Sequence, residues 1–404
     1  MAVGEFWVAD SDMHVMEPAD LWQRYMEPAW QHAAPVGLSE IERDMRVRVK
    51  NSVLLRMGRI RPRSDEGRPW KAEQDSAFAH AEARNWDPKS QVMAMDTEGL
   101  DSTVLFPSRG LFVLAMQSTE HVGSDGLEPE LGAAIARAYN DWMCDFVREC
   151  DAPGRVFGAA MLAPHDVGQA VEELARNVER GFKAAFLVPG LVDNKPWHHP
   201  KYDPIWREAE RLDVPVCFHG GGTTYLKPDF AFSEQLDKLM LWHAFNQPLG
   251  IMFVAACFTS GGILARFPQL RVGLLEGNCS WAPFMLYRLD EHWEWMGKYE
   301  APEVQEPPSA YFLRNCFVSC EADEAAAKHY FEDYGDDNVV FSTDYPHADS
   351  KYPKATESFL SLGFAASTQR KLLWDNYAKL YKVPEPTRPA GTPGSPGSSG
   401  PAGS

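Results

Sequence analysis

Four stretches of this 404-residue chain end an apolar run on side chains that can bind a cation or move a proton. The first runs from Trp7 through Asp12 and His14 to Glu17-Pro. Asp12 and His14 stand two apart, and on an extended strand that spacing puts both on one face. Two donors on one face of a strand end can grip a divalent ion; the plain alternative is a capping Asp beside a polar core His. The second stretch is Val214-Pro-Val-Cys-Phe-His219, followed by three glycines that leave open space above the imidazole. The third is Arg271-Val-Gly-Leu-Leu-Glu276-Gly-Asn278. A carboxylate directly after a buried apolar run is costly unless it is paired or bound to a cation. The fourth is Val339-Val-Phe-Ser-Thr-Asp344-Tyr-Pro-His347. There an Asp could ligate a metal and exchange protons, with a His three residues on. One polar strand end is ordinary. Four of them, all His, Asp or Glu, point to a shared metal site, with Asp344, Glu276 and His347 as its chemical groups.

The elements that must position these residues are short and apolar. Strands are expected at Trp7–Ala9, Ser102–Phe106, Val156–Met161, Ala184–Val188, Val214–Phe218, Arg271–Leu275, Phe317–Ser319 and Val339–Ser342. Such near-continuous apolar runs fit parallel strands covered on both faces. Helical patterns lie between them. One is capped by Asp166, with Val171, Leu174, Ala175 and Val178 as its stripe; another closes the fold with Leu372, Leu373, Tyr377, Leu380 and Tyr381. Alternating strands and helices allow a doubly wound sheet or a closed barrel. No G-x-G-x-x-G follows the first strand, and polar residues recur at strand C-termini, so the reading is an α/β fold of the (β/α)8 TIM-barrel type. It covers residues 1–384, with lid-like insertions at about 18–90 and 222–250. Residues 385–404, rich in Pro, Gly and Ser, are expected to form a disordered tail.

Composition narrows the function. Net charge is −18, which lacks the basic footprint that nucleic acid or an anionic membrane needs. Mean hydropathy is −0.35, and no apolar run is read as approaching the ~20 residues that span a bilayer. The N-terminus has no basic and apolar leader, so a cytoplasmic location is expected. Seven cysteines, an odd number without a C-x-x-C pair, are expected to be buried free thiols.

The D-x-H…E-P start, P-V-C-F-H219-G, Leu275-Glu-Gly-Asn-x-x-Trp281-x-Pro-Phe through Arg288-Leu-Asp-Glu-His292, and the Ser-Thr-Asp344-Tyr-Pro-His347 end together resemble the amidohydrolase-related family, across roughly residues 6–382. That family includes aminocarboxymuconate-semialdehyde and γ-resorcylate decarboxylases. The resemblance implies a metal-binding barrel with Asp12, His14, His219 and Asp344 as ligands. This chain departs from the pattern in three places. Asp12 replaces the first His of the usual pair. Glu276 stands where the decarboxylases carry a strand-six His. Lys183 begins strand four rather than ending it, so a carbamylated-lysine bridge is not expected.

With Glu276, and with His243 and His347 in reach, the site holds up to seven N/O donors, more than one tetrahedral zinc needs. Two iron ions are therefore favoured, and a single Zn or Mn is the alternative. The chain is also similar to actinobacterial non-heme di-iron monooxygenases of diterpenoid antibiotic pathways. On that resemblance the expected activity is hydroxylation of a carboxylated natural product, with dioxygen and an external reductant as partners. The alternative is a decarboxylase or hydrolase using one Zn or Mn.

Other residues are read more plainly. Arg109 could clamp a substrate carboxylate in bidentate fashion, against a surface arginine as the alternative. Asn278 and Trp281 are placed with it as substrate-binding candidates. His198 and His199 are read as a turn element, and Arg288 and Asp290 as an ion pair. Family resemblance implies a homodimer, to which the Trp281–Trp295 segment could contribute.

Overall fold

The computed structural model describes residues 6–39, 44–54, 69–116, 126–220 and 239–386. Eight strands, numbered here β1 to β8, form one parallel sheet whose spatial order follows the chain: Ala9–His14, Ser102–Phe106, Val156–Met161, Ala184–Leu187, Val216–His219, Val272–Leu275, Cys316–Glu321 and Val339–Ser342. Almost every strand residue is buried, as the apolar runs require.

The sheet curls into a barrel whose seam between β8 and β1 is closed by side chains and the strand ends. Asp10 accepts the Thr343 N–H at 3.2 Å and also the Thr343 hydroxyl. The His14 N–H donates to the Tyr345 carbonyl at 2.7 Å. The last helix is sewn on from outside: the Tyr381 hydroxyl donates to the Ser11 carbonyl, and the Tyr377 and Ser102 hydroxyls meet at 2.8 Å.

Burial of Asp10 without a cation pushes its carboxyl up to about 7 despite the Thr343 bonds.

The first insertion holds a three-stranded antiparallel sheet, Val36–Gly37, Val47–Val49 and Ser52–Leu54, and a helix from Pro88 to Glu98 capped by Asp87. Part of the second insertion, residues 221–238, lies outside the described residues, as does the expected tail from residue 387. The remainder of the second insertion is a helix, Leu239–Phe258, packed along β5 and β6.

This helix corrects one sequence expectation. Met240–Arg266 is long and apolar enough to cross a membrane by composition. Over half of its most apolar 18-residue window is buried against the rest of the chain, so much of its apolarity is used in packing.

Two further corrections concern helices. In Val167–Glu179 Leu174 is buried and Val171 and Val178 pack half-buried against the core, as the stripe predicts, but the most buried face is shifted to Ala170, Glu173, Leu174 and Asn177. Glu173 is accommodated because Asn140, Asn177 and Arg176 all donate to it. Arg288 pairs with Glu291, not Asp290, whose carboxylate instead accepts the backbone N–H and the hydroxyl of Ser309. The C-terminal apolar residues Leu372, Leu373, Tyr377, Leu380 and Tyr381 are all buried, as expected. The seven cysteines are unpaired, and six of them are buried.

Candidate metal centre

The strand ends bring the predicted ligands to one point. β1 extends further than the sequence suggested, to His14, and its pairing with β2 is irregular between Asp10 and Met13. Asp12 and His14 still share a face: His14 Nε2 lies 3.5 Å from Asp12 Oδ1. His219, the last residue of β5, crosses the barrel to place its Nε2 2.7 Å from His14 Nε2 and 3.1 Å from Asp12 Oδ1. Asp344 Oδ1 lies 3.4 Å from His14 Nε2.

Each of the two imidazoles is aimed by a second bond. The His14 Nδ1–H donates to the Pro107 carbonyl at 2.7 Å, so its Nε2 carries the lone pair toward the centre. His219 Nδ1 lies between Glu276 Oε2 at 2.9 Å and the Gly220 carbonyl at 3.0 Å. Glu276 therefore stands behind the His219 imidazole as an orienting carboxylate.

The backbone turns sharply to deliver these carboxylates. Glu276 and Asp344 both sit at positive φ, 49° and 55°, a conformation that costs on the order of 1 kcal/mol for a non-glycine residue. Gly220 lets β5 approach closely, since a Cβ there would lie 2.8 Å from the Glu276 carbonyl.

The residues fit a cation. Asp12 Oδ2 is buried without a well-formed hydrogen bond, and the buried Asp12 Oδ1, Asp344 Oδ1 and Glu276 Oε2 have imidazole nitrogens as near neighbours. Two imidazole nitrogens face each other with acceptors on every side. Such groups repel one another unless a positive charge lies among them. Burial pushes Asp12 up despite the pull of His219, and pushes His14 well below the usual imidazole range. Burial also works to lower His219, but Asp12 and Glu276 outweigh it and hold that imidazole well above its usual range. Asp344 is raised by burial and by Asp349, Glu276 and Glu321 around it.

His347 joins from the turn that follows β8. Its Nδ1 lies 2.7 Å from Asp344 Oδ1, and its Nε2 meets the Ser108 hydroxyl at 3.0 Å. Burial brings it down to about 4. Glu17, noticed in sequence only as part of E-P, holds a loop together. Its carboxylate accepts the backbone N–H groups of Ser108, Arg109 and Gly110. It thereby fixes the segment that supplies Pro107 and Ser108.

Above the cluster opens a pocket of about 300 Å³ lined by His243, Gln247, Glu276, Asn278, Glu321, Asp323, Asp344, Asp349 and Lys351, among others. Asn278 thus sits where expected. His243 lines this pocket 3.6 Å from Asp349 rather than joining the inner ligands.

Two other candidates fall elsewhere. Trp281 donates to the Asn278 carbonyl and packs on Phe312, away from the pocket lining. Arg109 is buried against Gly37, with Glu17 and Asp44 near, and its Nε and Nη1 have no hydrogen-bond partner among the described residues. His199 caps the turn at Pro200–Tyr202 through Nδ1, and His198 Nδ1 meets Cys257 Sγ at 3.4 Å.

Sequence reading missed Glu321, Asp349 and Gln247. Glu321 carries the signal that marked the other four sites, a carboxylate at a strand end, but the sequence pattern ends β7 two residues early at Ser319. Gln247 gave no signal, because only the packing of its helix turns it toward Glu276 Oε1.

A parallel barrel with His and carboxylates at the C-terminal ends of β1, β5, β6 and β8 defines a metal-site α/β-barrel enzyme. The chain belongs to the amidohydrolase family, whose pattern matches residues 9–383. It is 30% identical over 270 residues to a γ-resorcylate decarboxylase of Rhodococcus jostii, covering 63% of this chain and 79% of that one. An amidohydrolase from Mycobacterium avium subsp. paratuberculosis superposes with a TM-score of 0.72 at 21% identity, over 94% of this chain and 98% of that one. A manganese complex of 5-carboxyvanillate decarboxylase from Novosphingobium aromaticivorans gives 0.63 at 19% identity, over 94% and 96%.

Proposed function

We propose that the chain is a divalent-metal-dependent carboxy-lyase acting on a carboxylated aromatic or similarly conjugated small molecule. The observation that carries this is the buried convergence of Asp12, His14, His219 and Asp344 on one point, with Asp12 Oδ2 left without a hydrogen bond. These four would hold the ion. Its relatives lend the substrate class, since the Rhodococcus jostii protein is named a decarboxylase of an aromatic acid and the Novosphingobium one binds manganese.

When bound, the cation would anchor and polarise a substrate oxygen. Asp344 and His347 form the proton-holding pair. Burial and the neighbouring carboxylates raise the Asp344 carboxyl, and His347 orients it at 2.7 Å. Its proton would pass to the ring carbon that bears the carboxylate; the bond to that carboxylate then breaks, its electron pair returns to the ring, and CO2 leaves. Ser108 keeps the His347 ring in place. Glu276 serves His219, holding the imidazole in one orientation.

A specific observation favours a second reading. Glu276, Glu321, Asp323 and Asp349 add four carboxylates around the cluster, and Lys351, the lysine lining this pocket, is already bonded to Asp323. One dication leaves that pocket strongly negative. Two iron ions match the charge better, and the reaction would then be a monooxygenation that consumes dioxygen and two electrons from an external reductant.

One experiment separates these readings. Protein purified without added metal is analysed for metal per chain, then incubated with dihydroxybenzoates with and without oxygen. One divalent ion and CO2 release under argon support the carboxy-lyase. Two iron ions and oxygen-dependent product support the oxygenase. Turnover that survives chelation sinks both.

A further inference from the structure

We propose that Cys279, Cys320 and Glu324 form a second cation site, separate from the Asp12, His14, His219 and Asp344 centre, and that it takes one thiophilic divalent ion of the zinc class. Cys279 stands in the turn after β6, Cys320 on β7 and Glu324 just beyond that strand. One ligand atom from each lies within 4.8 Å of the others, and all three side chains are buried. Zinc–sulfur bonds of about 2.3 Å hold the two sulfurs of a tetrahedral site roughly 3.8 Å apart. The donors therefore stand within about an ångström of closing on such an ion.

The carboxylate points to a ligand. Glu324 is 8% exposed, and among the described residues no basic side chain pairs with it. A buried carboxylate without a counter-charge is costly. Neutral donors hold it in place. Its Oε1 accepts the Cys279 N–H at 2.9 Å, the Ser280 N–H at 2.8 Å and the Ser280 hydroxyl, and its Oε2 accepts the Glu321 N–H at 3.2 Å. These bonds set it beside the sulfur, with Cys279 Sγ 3.6 Å from Oε1. Contact with Cys279 and burial push the Cys320 thiol well above its usual range, so the two sulfurs keep their protons until a cation arrives. An ion that forms two sulfur bonds displaces both protons to solvent, and the N–H groups around Glu324 stabilise the negative charge left over.

Donor type selects the ion. Two sulfurs favour zinc and its soft relatives over manganese or magnesium, whereas the His and carboxylate centre suits harder ions. The two sites would sort metals by softness. Position gives the second site a purpose. Asn278 and Glu321 line the pocket and are the chain neighbours of Cys279 and Cys320. An ion held here ties the turn after β6 to β7 directly behind that pocket wall. No C-x-x-C spacing marks the pair, because only the pairing of β6 with β7 brings the two sulfurs together.

Cadmium is the probe, because its bonds to thiolates absorb in the ultraviolet. Titration of the reduced protein should raise this charge-transfer band to an end point of about one cadmium per chain. Cys320→Ser should weaken the binding at least about a hundredfold, while Cys316→Ser, at a buried cysteine outside the cluster, should keep the band. His14→Ala should keep it as well, since the inner centre holds no sulfur, so the outcome is independent of the carboxy-lyase reading. On the wild type alone, cadmium should protect Cys279 and Cys320 from alkylation in mild denaturant and leave the half-buried Cys144 open to it. A wild type that gives no band overturns the proposal. So does a band lost equally in Cys316→Ser and Cys320→Ser, or protection that falls on other cysteines.

Discussion

The inner cluster and the outer rim of the same pocket are built differently. Asp12, His14 and His219 are fully buried, stand on strands, and two of the three are held by a second fixed bond. His243, Asp323, Asp349 and Lys351 stand on a helix start and on loops. They are largely exposed and mainly bonded to one another. A strand end fixes a side chain to within a fraction of an ångström because its backbone is tied on both sides; a loop does not. The difference teaches where precision is needed. Cation binding demands the inner geometry, while the rim needs only the right charge.

The largest effect is expected at the inner cluster. His14→Ala should strip the bound metal, reduce turnover by more than about a hundredfold and leave the far-ultraviolet spectrum unchanged; metal analysis of the purified variant checks it. A variant that keeps a full complement of metal would break the comparison at its root. Next is Glu276→Gln, which keeps the shape behind His219 but removes the charge. Metal affinity should fall about 10- to 100-fold, measured by competition with a chelating dye.

A stability test probes the barrel away from the metal. Glu98 is buried at the end of its helix and accepts the Thr356 N–H, and burial pushes its carboxyl up to about 7. A folded-state pKa above the unfolded value of 4.5 means that the folded protein binds the proton more tightly. Its contribution is then full below pH ~4.5 and is lost as pH rises through about 7. Glu98→Gln should therefore gain on the wild type at pH 8, by on the order of 2 kcal/mol. Thermal melts at pH 5 and pH 8 decide it, and an equal offset at both refutes the assignment.

The smallest effect belongs to the rim. Lys351→Ala removes an exposed pair worth at most about 1 kcal/mol. KM should change by no more than about fivefold, with metal content untouched. A loss of metal in this variant would show that the rim also helps to hold the ion.

Much of the centre was legible in the chain. An apolar run ending on His or Asp says that a buried strand delivers a polar group, and the two-residue spacing of Asp12 and His14 fixes their common face. Asp12, His14, His219 and Asp344 followed from such local signals. Residues whose role depends on neighbours far along the chain left no such trace. Glu17 matters because three N–H groups some ninety residues away need an acceptor, and Asp10 because β8 comes round to lie beside β1.

Arg109 shows the converse. Its chemistry suggested a carboxylate clamp, but the small sheet of the first insertion lies over it, and Gly37 leaves room for its guanidinium there. Side-chain type, periodicity and strand-end polarity are properties of a few consecutive residues, so the sequence by itself determined the barrel, the ligand types and the acidic charge. Which ligands meet, which carboxylate stands behind which imidazole and which apolar face stays uncovered depend on closure of the barrel, and only the tertiary structure decided them.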